Sequence, residues 1–146
     1  MSNLFILIAE DDADDRYLLE TAFTECGFHD ELLFVENGVE LFEFLDKNSN
    51  GTPVKKVPVF ILLDLNMPKK DGREVLKELK EHPKFKKIPV VVFTTTKNQN
   101  EIRRCYELGA NTYVVKPPSF DDLVSVVNQI RTYWLTVAAT PGASDF

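Results

Sequence analysis

Apolar residues along the chain fall into two patterns. Leu4–Ala9, Val59–Leu63, Ile88–Phe93 and Thr112–Val115 are apolar at nearly every position. A strand without a polar face must be covered on both sides, the condition of strands inside a parallel sheet. Glu31–Glu36 reads as one more strand. Between these runs lie stretches with helical character: Asp14–Cys26, Val39–Leu45, Gly72–Glu81, Asn100–Leu108 and Phe120–Trp134. In the last, Leu123, Val126, Val127, Ile130 and Trp134 recur at helical spacing. Asp12 and Asp14 are candidate caps for the first helix. Gly27 and Gly109 stand where helices usually stop. Pro83 ends the third helix at His82, because a residue before proline avoids helical angles. Asn37-Gly38 reads as a turn, and Asp46–Val57 (DKNSNGTPVKKV) as a polar surface loop. Strands alternating with helices imply an α/β sheet covered on both faces, with right-handed crossovers.

Composition narrows the class. The chain has 146 residues, 44% of them apolar, enough for one domain with its own core. Residues 1–134 make up that domain and 135–146 a frayed or partner-bound tail. Lys and Arg number 17 against 23 Asp and Glu, a net charge of −6. With no basic block, nucleic-acid binding is not expected. No apolar run reaches the ~18 residues of a membrane span, and no basic-then-apolar leader opens the sequence. A cytoplasmic protein is expected. Cys26 and Cys105 are far apart and read as reduced helix residues. His29 and His82 read as surface residues.

The chemistry lies where the apolar runs stop. The first strand ends at Glu10-Asp11-Asp12, the central one at Asp64, the next at Thr94-Thr95-Thr96 and the last at Lys116-Pro117. Taken singly, a strand-end acid is more often a helix cap, and Asp12, Asp14 and Asp15 keep that reading as helix-start electrostatics. As an ordered set, with the loop LDLNMPKKDG, these residues resemble the receiver domain of bacterial two-component response regulators over about Leu4–Arg131. The resemblance implies a flavodoxin-like, doubly wound, five-stranded parallel sheet in the order 2-1-3-4-5 with five helices. Strands one and three are then neighbours, and Glu10 and Asp11 meet Asp64 there.

By the same resemblance, Asp64 is the phosphoacceptor. Lys116, the Thr94 hydroxyl and the Thr95 backbone N–H contact the phosphoryl oxygens. Mg²⁺ is expected on Asp11, Asp64 and the Asn66 carbonyl, with Glu10 acting through water. Hard oxygen ligands with room for water suit that ion. Thr94 and Tyr113 form the switch, and Asn66 and Thr96 flank the hydrolytic water and tune dephosphorylation. Expected partners are a sensor histidine kinase or phosphotransfer protein and a downstream protein on the Asn100–Trp134 face, and a homodimer is allowed for. The long middle loop and Lys116-Pro117-Pro118 are similar to stand-alone receivers of the phytochrome-partner group.

Three rival readings fit the sequence less well. Haloacid-dehalogenase-type phosphatases also use a strand-end Asp nucleophile, but need a second acid two residues on, where this chain has Asn66. Nucleotide-binding modules need GxxxxGK[ST] or GxGxxG, both absent from the sequence. A pseudo-receiver would lack parts of the site that this sequence keeps. The chain is therefore read as a phosphoryl-accepting signalling protein with slow self-dephosphorylation, and not as an enzyme.

Overall fold

The computed structural model describes residues 4–27, 31–49, 57–142 and 145–146. Five parallel strands, β1 (Phe5–Ala9), β2 (Glu31–Val35), β3 (Phe60–Leu63), β4 (Val90–Thr94) and β5 (Thr112–Val115), form one sheet in the order β2-β1-β3-β4-β5. The helices are α1 (Ala13–Glu25), α2 (Gly38–Ser49), α3 (Gly72–Glu81), α4 (Gln99–Glu107) and α5 (Phe120–Thr132). This is the expected flavodoxin-like, doubly wound architecture. β1, β3 and β4 are buried at every position, as their uninterrupted apolar runs require. Alternate residues feed two cores. Phe5, Leu7, Ile61, Leu63, Val90 and Val92 face α2, α3 and Cys105 of α4. Ile6, Ile8, Phe60, Leu62, Val91 and Phe93 face α1 and α5.

Several local expectations need correction. Asp46–Ser49 is helical, not loop. Residues 46–48 continue the outer face of α2, where Lys47 suits the carboxyl end of the helix and the Asn48 amide donates to the Phe44 carbonyl at 2.8 Å. The remainder of the proposed loop, residues 50–56, lies outside the described residues, as does His29. Asn37 starts α2 rather than merely turning the chain: its buried side chain accepts the Glu40 N–H at 2.9 Å. Asp12, not Asp14, caps α1, accepting from the Asp15 N–H. His82 is not a free surface residue. Its ring stacks on Phe85 at 3.9 Å, and Nδ1 accepts the N–H groups of Lys84 and Phe85.

Regular α-helix ends at Thr132, and Tyr133–Val137 continues as a wider π-type turn. Trp134 there covers Phe60 at the amino end of β3, far from Asp64 at the other end. The tail is not frayed in its described part. Leu135 packs on the α1–α5 core, and Phe146 packs on the opposite core, where Lys87 donates to the Asp145 carbonyl.

One glycine sets the position of Asp64. Gly72 opens α3, and its N–H donates to the Leu65 carbonyl at 3.0 Å. A Cβ there would stand 2.5 Å from the Asp64 carbonyl oxygen and 2.5 Å from the Leu65 Cα. Both obstacles are backbone, so the loop itself must move. Gly72→Ala is expected to lower stability by about 1–3 kcal/mol, read as a reduced urea midpoint. A midpoint at or above wild type would contradict this close approach.

Candidate functional site

The strand register brings the polar residues to one rim. Ala9 pairs with Leu63, so β1 and β3 end level. The next residues extend the ladder: Asp64 N–H donates to the Ala9 carbonyl at 3.1 Å and Glu10 N–H to the Val35 carbonyl at 3.0 Å. Thr94 pairs with Val115, and Lys116 N–H donates to the Thr94 carbonyl at 2.7 Å. One carboxylate oxygen each from Glu10, Asp11 and Asp64 lies within 4.8 Å of the others.

Burial makes this cluster unusual. Glu10 is 2% exposed and Asp64 7%, whereas Asp11 is open to solvent. The Lys116 ammonium reaches into the cluster, with Nζ 2.7 Å from Glu10 Oε1, 3.6 Å from Asp64 Oδ2 and 3.6 Å from Asp15 Oδ2. The second oxygen of Glu10 accepts the Asp12 N–H at 3.2 Å, and Asp64 Oδ1 accepts the Asn66 N–H at 3.3 Å. One ammonium does not offset the burial of two carboxylates. Glu10 is pushed up to about 7, chiefly by burial; the hydrogen bond and charge of Lys116 oppose this, and the Asp64 charge adds to it. Asp64 is raised for the same leading reason, against Lys116 and the Asn66 N–H. Burial alone would lower Lys116, but its bond to Glu10 and the charges of Asp64, Glu10 and Asp15 leave it raised. Buried hard-oxygen donors with surplus negative charge are the donor set of a small divalent cation such as Mg²⁺, so the residues fit that ion.

The remaining predicted residues sit around this cluster. Thr94 is fully buried, and its Oγ1 has no hydrogen-bond partner among the described residues. An orphaned buried hydroxyl costs about 1–3 kcal/mol, a strain commonly associated with function. Thr95 is exposed just beyond β4, Thr96 is half-buried, and the Asn66 side chain is exposed. Tyr113 is half-buried against the α2–α3–α4 core. Its hydroxyl donates to the Thr96 carbonyl at 2.8 Å, and its N–H donates to the Tyr106 hydroxyl at 3.1 Å. Tyr113 therefore already stands in an inward, bonded position.

Sequence reasoning missed Arg16. Its guanidinium donates to the carbonyls of Glu10 (3.0 Å) and Asp11 (2.9 Å) and pairs with Glu36 at 3.2 Å, tying down the acidic loop. A single Arg ending the run DDADD was the available signal. Asp15 also belongs to the Lys116 cluster, although it reads as a helix-start acid.

A doubly wound sheet with acids, a hydroxyl and a lysine at one rim defines a phosphoacceptor signalling domain. The chain belongs to the response regulator receiver domain family, whose model matches residues 6–128. It is a response regulator of two-component signalling, the class that accepts a phosphoryl group on aspartate. It is 38% identical to the response regulator Rcp1 of Synechocystis sp. (strain ATCC 27184 / PCC 6803 / Kazusa), over 94% of this chain and 93% of that protein. The solved Mn(2+)-bound form of Rcp1 superposes with a TM-score of 0.81, covering 94% of this chain and 98% of that one. The phosphorylated cyanobacterial phytochrome response regulator RcpA is 37% identical, with a TM-score of 0.85 over 96% of this chain and 99% of that one. Among the described residues no helix is long and apolar enough to cross a membrane.

The raised carboxyl of Glu10 has a thermodynamic consequence. An ordinary glutamate loses its proton near 4.5, and native Glu10 keeps it to about 7. Between those values the native state binds more protons than the unfolded chain, so stability is lost as pH rises through that window. Chelator-treated protein is expected to lose on the order of 1–3 kcal/mol between about pH 4.5 and about pH 7.5 from this group. Glu10→Gln should flatten the slope, measured as melting temperature against pH. An identical slope in wild type and variant would refute the assignment.

Proposed function

We propose that Asp64 is the phosphoacceptor and that Lys116, Thr94 and Thr95 hold the transferred group. The observation that carries this reading is the shared placement of the Lys116 ammonium, against Asp64 and Glu10 at once. An Asp64 oxygen attacks the phosphorus of a partner's phosphohistidine. The phosphorus–nitrogen bond breaks, and the imidazole leaves with its electron pair and takes up a proton. The carboxylate must be ionised to attack, and Lys116 favours that form against the effect of burial. After transfer, Lys116 shifts from Glu10 towards a phosphoryl oxygen. The orphaned Thr94 hydroxyl turns to donate to another, gaining the bond it lacks. The backbone N–H of Thr95, an exposed residue just beyond β4, serves a third.

Mg²⁺ would be held by the Asp11 and Asp64 carboxylates and the Asn66 carbonyl, with Glu10 reaching it through water. When bound, it neutralises negative charge on the cluster and the phosphoryl group. The Mn(2+) of the Rcp1 structure supports a divalent ion here, and the phosphorylated RcpA structure supports the acceptor role.

The product is a signalling state rather than a turnover cycle. Residues 1–134 are the receiver unit and 135–146 an appended tail. The donor is a sensor histidine kinase or phosphotransfer protein in the cytoplasm. A downstream protein reads the Asn100–Trp134 face, and a homodimer is allowed for. Thr94 and Tyr113 carry the change to that face. Asn66 and Thr96 line the approach of water to Asp64. Neither side chain is a strong base near neutral pH, so water is oriented but not deprotonated.

With Mg²⁺ and acetyl phosphate, intact-mass measurement should show one phosphate adduct on wild type and none on Asp64→Asn. An undiminished adduct on the variant would sink the assignment. Loss of the adduct after donor removal should take minutes, not milliseconds, given the weak general-base help. Glu in place of Thr96 supplies a carboxylate beside that path and should shorten the lifetime. Sub-second decay in wild type would contradict the proposed roles of Asn66 and Thr96.

A further inference from the structure

α4 is the least anchored helix of the α2–α3–α4 face. Of its nine residues only Cys105 is fully buried, whereas α3 buries Gly72, Val75, Leu76 and Leu79. A helix with so little apolar burial depends on its polar contacts for position. Within the helix, the Asn98 side chain accepts from the N–H groups of Asn100 and Glu101. Between helices, the Arg73 guanidinium Nε donates to Glu101 Oε1, while Nη1 donates to both oxygens of Asp71 at 2.9 and 3.2 Å. All three side chains are more than half covered.

The loop side of this contact is rigid. Arg73 follows Gly72, whose Cα is pressed against the backbone of Asp64 and Leu65. Asp71 stands at the N-cap of α3 but makes no capping hydrogen bond; its carboxylate is spent on Arg73 instead. A short acid at that position ordinarily bonds the first free N–H groups of its helix. Here that bond is forgone for one that orients a guanidinium towards α4. The α4 side of the contact is next to Tyr113. Burial pushes its phenol up, the neighbouring Cys105 and Glu101 add to this, and Arg73 opposes it.

We propose that Arg73 is a positioning residue, a latch oriented by Asp71 that ties α4 through Glu101 to the loop carrying Asp64, and so holds the arrangement in which Tyr113 reaches the Thr96 carbonyl. The switch then has two physical links to α4. One runs from Thr94 through Thr96 and Tyr113 to the Tyr106 hydroxyl on α4, the other through Gly72, Arg73 and Glu101. The proposal rests on the Asp64 reading for its signalling meaning, but not for the latch itself.

A double-mutant cycle separates the two. Arg73→Ala, Glu101→Ala and the double variant are compared with wild type by amide hydrogen exchange, without any phosphoryl mimic. Each single variant should speed exchange in residues 99–107 by about three- to tenfold, and the double variant by no more than either single one. Additive effects, or unchanged exchange, overturn the latch. Asp71→Asn tests the orienting role and should give a smaller acceleration of the same segment; unchanged exchange overturns that role. The measurement is repeated with Mg²⁺ and beryllofluoride, whose binding is followed by fluorine NMR. The latch variants should bind beryllofluoride as wild type does, yet show a reduced change in the Tyr113 and α4 signals. A full wild-type response in the variants overturns the coupling. Failure of wild type to bind beryllofluoride overturns the Asp64 reading and the signalling role together, while the metal-free cycle still decides whether the latch exists.

Discussion

The rim is organised by one ammonium shared between two buried carboxylates. Glu10 and Asp64 are carried out of water by the strands they terminate, and each would be costly to ionise alone. Lys116 is what makes the arrangement tenable, and it does so incompletely, because one positive charge faces two negative ones. The surplus shows in the raised carboxyls of both acids. It also explains why the site suits charged ligands of both signs. A divalent cation relieves the excess, and a phosphoryl group can then be accepted because the cation and Lys116 outweigh it. Arg16 fixes the backbone from which two of the acids project, so relaxation of the loop cannot relieve the repulsion.

That electrostatic arrangement depends on register. Ala9 pairs with Leu63, and Thr94 with Val115. A slip of one residue in either pairing would turn a functional side chain to the other face of the sheet. Continuous burial of β1, β3 and β4 keeps the sheet fixed beneath the rim. Gly72 does the same for the loop, because it leaves no room for Asp64 and Leu65 to move towards α3. The scaffold is rigid where charge must be held close and lightly packed at α4, where Cys105 alone of the nine residues is buried.

How far the sequence could be read follows from the range of each interaction. Strand ends were legible because a run of apolar residues that stops at an acid or a lysine is a local pattern. The order of those ends carried the resemblance to receiver domains, and the strand order implied by that resemblance set Glu10 and Asp11 beside Asp64. The end of α2 was not legible, since Asp46, Lys47 and Asn48 lie on an outer face with no apolar periodicity to mark it. His82 looked like a surface residue because its neighbour in space, Phe85, stacks on it only through a short 3-10 turn. Arg16 and Arg73 were missed for a further reason. Their partners lie at spacings that no helix or strand period defines, and Arg73 meets Glu101 from 28 residues away.

These two arginines divide the labour of the site. Arg16 binds carbonyls, which do not change charge when the site is loaded, so its hold on the acidic loop is constant. Arg73 binds carboxylates, one on its own loop and one on a helix with a single fully buried residue. A contact of the second kind is the sort that can be made or broken at modest cost, because both partners keep partial access to solvent. Tyr113 adds two bonds beside it, its hydroxyl to the Thr96 carbonyl ahead of α4 and its N–H to the Tyr106 hydroxyl on α4, so two polar contacts of moderate strength, Arg73–Glu101 and Tyr113–Tyr106, converge on that helix. Two such contacts acting on one lightly anchored helix can shift its population together where neither would alone. The fold thus places strong, buried interactions beneath the phosphoacceptor rim and weaker, half-exposed ones at α4.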